Sequence, residues 1–199
     1  MSRLSHLLFI FSIPLLADGK KSDLDPKVLL REIARHGADS VLSRTEGEID
    51  QKLPQTHSEW EQTEWANILR HIETGDSLWL EVAGKCFKAA DHGVTCDDLA
   101  ASVAQALPSA PSRVLRLISG LKKNGIAEKQ ANNIAENICT PSFSKHGQDA
   151  YEHGMKAQNA LKKVRNKKLE PVKKRCLEWI IKDLGSAPSS SGSKSLGNK

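Results

Sequence analysis

The side chains with the clearest capacity for chemistry are four cysteines, Cys86, Cys96, Cys139 and Cys176. Thiols act as disulfide partners, metal ligands or nucleophiles. A structural metal site calls for a Cys-x-x-Cys pair or for histidines at ligand spacing. The chain has neither, so no metal and no cofactor are expected. An even count suits disulfides in an oxidising compartment. Four cysteines allow three pairings, and sequence alone does not choose among them. Cys86 and Cys96 flank the polar stretch KAADHGVT and could staple a helical hairpin. Cys139 and Cys176 would then tie the end of one helix to the final helix.

Charge is the next signal. Residues 156–175, KAQNALKKVRNKKLEPVKKR, hold nine Lys or Arg against one Glu, a net +8, while the whole chain is +5, which leaves −3 for the rest. The basic character belongs to one segment and not to the protein at large. Most such runs are solvated helix faces. The functional alternative is a patch for an acidic protein surface, an anionic membrane surface or nucleic acid. The window contains no aromatic residue on which bases could stack, and export disfavours nucleic acid. An acidic envelope protein or an anionic lipid surface is therefore the expected partner. The residues expected to meet it are Lys162, Lys163, Arg165, Lys167, Lys168, Lys173, Lys174 and Arg175.

Catalytic arrangements are thin. Glu46, Glu48 and Asp50 form one carboxylate cluster, and Glu59, Glu61 and Glu64 another. Glycoside hydrolysis needs two carboxyl groups across about 5–10 Å, one of them in an apolar site. These acids instead sit among loop and helix-surface residues. His57 and His92 lie in loops, and no Gly-x-Ser-x-Gly, His-Glu-x-x-His or phosphate-binding glycine loop occurs. No catalytic residue is assigned. Of the four tryptophans, Trp65 and Trp79 fall within apolar helical stripes and are expected in the core. Trp60 lies off the stripe, in SEWEQTEW, and is the candidate exposed aromatic for partner contact.

The elements that must position these groups read as helices. Asp25 caps and Pro26 opens the first, which carries Leu29, Leu30, Ile33, Ala34, Val41 and Leu42, with a bend or close contact at Gly37. Residues 45–57 read as a loop. Trp65, Ile68, Leu69 and Ile72 occupy one helical face. Asp76 caps the next helix, with Leu78, Trp79, Val82, Ala83 and Phe87 inside. Thr95 and Asp98 resemble a capping box ahead of Leu99, Val103, Ala106 and Leu107. Pro111 opens a further helix, a weaker one follows over 126–138, and another is expected over 148–169. Pro171 starts the last, whose inner face holds Val172, Cys176, Leu177, Trp179 or Ile180, and Leu184. No sustained alternation marks a strand. The expected fold is all-α, an irregular bundle of short antiparallel helices over residues 18–184, braced by disulfides. From residue 185 the chain is almost devoid of apolar side chains, which predicts a disordered tail.

The chain opens with MSRLSHLLFIFSIPLLA. Arg3 precedes an apolar run, Leu7 to Ala17, that is shorter than the roughly 20 residues of a membrane span. Residues 1–17 thus read as a secretory signal peptide, with a cleavage point after Ala17. A periplasmic destination follows.

The segment from about Leu29 to Leu121 resembles a helical family of exported proteobacterial proteins of unknown function. The resemblance rests on Gly37-Ala38 with Val41-Leu42, on WANILRHI, on GDSLWLEVA, on Asp91 and on AQALPSAPSRVLRL. Cys139 with Pro141 and Phe143, and the later Cys176, are similar to that family's C-terminal part. The Cys86 and Cys96 pair lies outside the resemblance. Some members are plasmid-borne beside conjugation genes, including Kik-type proteins. The resemblance thereby implies an envelope accessory role and carries over no catalytic residue. The expected function is that of a periplasmic helical accessory or interaction protein. The alternatives are an immunity or inhibitor protein against an envelope-acting toxin or hydrolase, and a cell-wall hydrolase.

Overall fold

Asp25 turns the chain into its first helix, α1 (Pro26–His36), by accepting a hydrogen bond from the Lys27 amide at 2.8 Å. The structure, a computed structural model, describes residues 24–42, 44, 64–90 and 94–186. The expected signal peptide, the expected loop over 45–57, Trp60, His57 and His92 lie outside the described residues, as do residues 187–199 of the expected tail. Gly37 ends α1 outright at φ 84°, a conformation that only glycine adopts cheaply, so the chain breaks there where a bend was expected. Val41 is nonetheless fully buried beyond the break.

α2 (Glu64–Glu73) and α3 (Ser77–Ala89) form a hairpin around Thr74-Gly75-Asp76. Gly75 sits at φ 73°, and a Cβ there would lie 2.5 Å from the Ala110 methyl. Its carbonyl also accepts from the Arg113 guanidinium at 2.9 Å. Asp76 caps α3 through the amides of Leu78 and Trp79. Trp65 and Trp79 are both buried, as their place in the stripes predicts. The His71 ring stacks on Trp79 with centroids 4.4 Å apart.

α4 (Val94–Ala106) is the central helix, in contact with α2, α3, α5 (Pro111–Gly120), α6 (Glu128–Cys139) and the short α7 (Pro141–Ser144). Its composition explains that position. Ala100, Ala104 and Ala106 let neighbouring backbones come close, while Leu99 and Val103 fill the remaining space. Each such large side chain, fully removed from water, contributes about 1.5–3 kcal/mol. The expected Thr95 cap is not at a helix end, because Val94 already belongs to α4. Asp98 instead accepts from the Trp65 indole, tying α4 to α2.

α8 (Gly147–Lys162) stops seven residues short of the expected Leu169. Leu161 and Val164 turn into the core, and Asn166 caps a 3₁₀ turn, Lys167–Leu169, whose leucine is also buried. α9 (Glu170–Ser186) closes the bundle and runs two residues into the stretch expected to be tail. Cys139 at the end of α6 and Cys176 on α9 form a disulfide with Cα atoms 5.2 Å apart. Cys86 and Cys96 are free and buried, so the expected staple between them is absent. Both thiols are absorbed into the apolar core instead. All described elements are helical, and no strand occurs among the described residues.

Candidate anion-binding groove

The basic segment 156–175 is not one helix but a corner: the last turns of α8, a connection, and the first turns of α9. Lys162, Lys163, Arg165, Lys167 and Lys168 are exposed there. Lys173 is turned inward, its side chain 13% exposed, pairing with Glu170 at 2.6 Å and donating to the Val164 carbonyl. It braces the corner, so its ammonium is already engaged within the protein. Lys174 is exposed. Arg175 leans the other way, donating to the Asn132 side-chain oxygen at 3.0 Å and lying 5.8 Å from the centre of the Trp179 ring.

That turn of Arg175 opens onto a concavity of about 590 Å³ where α5, α6, α9 and the α8–α9 connection converge. Its apolar lining includes Ile118, Ala131, Ala135 and Leu169, all buried, with Val172 and Trp179 partly covered. Its cations come from two walls. Arg116, Lys122 and Lys123 belong to α5 and the turn after it, while Lys168 and Arg175 belong to the corner. No carboxylate lines it among the described residues. Lys122 is paired with Glu128, which lowers the Glu128 pKa through that hydrogen bond and charge. Lys123 and Lys168 have no acidic partner among the described residues. The Cys139 half of the disulfide is part of the lining, so the bridge fixes the α6 and α9 walls to each other.

Sequence reasoning found Lys168 and Arg175 but missed Arg116, Lys122 and Lys123, which stand 45 or more positions earlier in the chain. The available signal was the Lys122-Lys123 pair and an Arg116 off the Val114, Leu115, Ile118 stripe. Two other concavities are less distinctive. One of about 670 Å³ between α1 and α3 mixes Asp39 and Glu81 with Lys85 and Lys88. A shallow one of about 220 Å³ brings Glu73 and Asp98 together. Burial raises both carboxyls, with Lys145 and Arg70 opposing it at Glu73 and the Trp65 hydrogen bond opposing it at Asp98. Burial pushes the Cys86 thiol up to about 12, so it is not a thiolate nucleophile at neutral pH. No cluster of three metal-ligating side chains occurs among the described residues. No described helix is long and apolar enough to cross a membrane. Comparison with family models, curated proteins and solved structures finds no match to this chain.

Proposed function

We propose that this chain is an exported helical interaction protein of the cell envelope, which captures an acidic partner on the α8–α9 corner and the groove beside it. The observation that carries this is the convergence of charge. A segment of net +8 in a chain of net +5 is joined, in one concavity without carboxylates among the described residues, by three more cations from α5 and its following turn. Fold stability does not require that arrangement, since exposed ion pairs are worth about 0–1 kcal/mol each. Electrostatic complementarity acts instead on association rate and partner choice.

The Cys139–Cys176 disulfide supports an oxidising compartment, as do Arg3 and the apolar run to Ala17. The resemblance to exported proteobacterial proteins, some encoded beside conjugation genes, supports an accessory role over catalysis. Co-purification tests the proposal. Tagged protein recovered from the envelope should bring down an acidic protein at low salt and release it at high salt. Changing Lys162, Lys163, Lys167 and Lys168 to Glu should abolish recovery while leaving the melting temperature nearly unchanged. Equal recovery by the variant would sink the proposal.

A further inference from the structure

Charge capture alone would need only the exposed corner, yet the groove combines cations with an apolar floor. Ile118, Ala135 and Leu169 are buried beneath it. On α9 the fully buried positions are Cys176 and Ile180, and Trp179, next to Ile180, is left partly open on the groove wall. A large aromatic left partly exposed beside buried apolar residues is a seat for an apolar side chain, because covering it removes further surface from water. The Asn132 oxygen is taken by Arg175, which leaves its NH₂ to donate to a carbonyl or carboxylate. A volume of about 590 Å³ lies in the range of about 300–1,000 Å³ usual for pockets that enclose a ligand.

We infer that the groove takes a peptide segment of the partner in which carboxylates flank a large apolar side chain, the apolar group seated against Trp179 and Val172 and the carboxylates met by Lys123, Lys168 and Arg175. This rests on the proposed capture of an acidic partner and specifies how that partner is read. A flat bilayer does not reach into a concavity, and its headgroups would leave the floor unused. A nucleic-acid strand would need successive aromatic platforms, and the groove offers one. A free phosphate gains nothing from the apolar residues.

The test uses the full chain and three probes at low salt: a glutamate-only peptide, a peptide of equal length with a central Leu-Trp pair among glutamates, and vesicles of anionic phosphatidylglycerol. The Leu-Trp peptide should bind wild type at least about tenfold more tightly than the glutamate-only peptide, the gain expected from covering one large apolar side chain. Trp179→Ala should erase that difference while keeping glutamate-peptide binding. Because the peptide comparison is made on wild type, a variant that folds poorly does not blunt it. Equal affinity for the two peptides overturns the inference and leaves electrostatic capture standing. Binding to the vesicles with no preference between the peptides overturns it in favour of a lipid surface. Binding to none of the probes overturns it together with the capture of acidic partners.

Discussion

Ser142 and Asp183, on α7 and α9, are joined twice: the Ser142 amide donates to Oδ2 at 2.9 Å and its hydroxyl to Oδ1 at 2.6 Å. The carboxylate of one helix thus caps the start of another, and with the disulfide it fixes α9 at two points. Asp183→Ala should lower stability by about 1–2 kcal/mol, toward the low end of the roughly 1.5–3 kcal/mol of hydrogen bonds to charged groups, because the pair is exposed and water partly replaces it. Denaturant unfolding measures this, and an unchanged midpoint would show that the pair contributes nothing.

Gly154 on α8 lies at the same junction. A Cβ there would stand 2.7 Å from Pro141 Cγ and 2.8 Å from Leu184 Cδ2. Alanine favours a helix over glycine by about 1 kcal/mol, but overpacking costs about 1–3 kcal/mol and the proline ring cannot swing aside. Gly154→Ala should therefore be destabilising in a thermal melt. A raised melting temperature would mean that α7 gives way easily.

How much of this was legible in the sequence depended on locality. The Asp25 and Asp76 caps, the Trp65 and Trp79 stripes and the Pro111 start are set by residues within a turn or two of each other, and all stand as expected. The end of α8 was missed because the chain leaves the helix after Lys162 and turns Val164 and Leu169 into the core, a tertiary demand that helical spacing does not encode. Helical spacing does not choose between Trp179 and Ile180 for the same reason, and the structure gives the core position to Ile180. The groove was half legible. The corner stood out as a charge run, whereas Arg116 and Lys123 reach it only through the packing of α5 against α9.

The cysteines should differ sharply in behaviour. Replacing Cys139 and Cys176 with Ser opens a loop set by a separation of 37 residues. Chain-entropy reasoning gives a loss of about 4 kcal/mol. Cys86 and Cys96 should resist alkylation in the native protein and react on unfolding, since both are buried and burial raises both thiols. Non-reducing peptide mapping that joins Cys86 to Cys96 would contradict this.

His153 predicts a pH response. Its Nε2 donates to the Ala104 carbonyl at 3.0 Å. Burial lowers its pKa below the ordinary value of 6.5, the hydrogen bond opposes that, and Lys145 and Lys156 add to the lowering. The unfolded chain then takes up a proton that the folded chain resists. This contribution to stability is full above 6.5 and is lost as pH falls through the folded value. His153→Gln should flatten the dependence of melting temperature on pH in that window. A slope equal to wild type would place its origin elsewhere.

The most direct measurement of electrostatic capture is the association rate of the full chain with a glutamate-rich peptide, followed by stopped flow across a salt series. Lys123→Glu with Lys168→Glu should be compared with wild type, since both lysines line the groove without an acidic partner among the described residues. Wild type should associate about tenfold or more faster than the variant at low salt, with the two rates converging as salt rises. Equal rates at every salt concentration, with both proteins folded, would contradict capture by the groove.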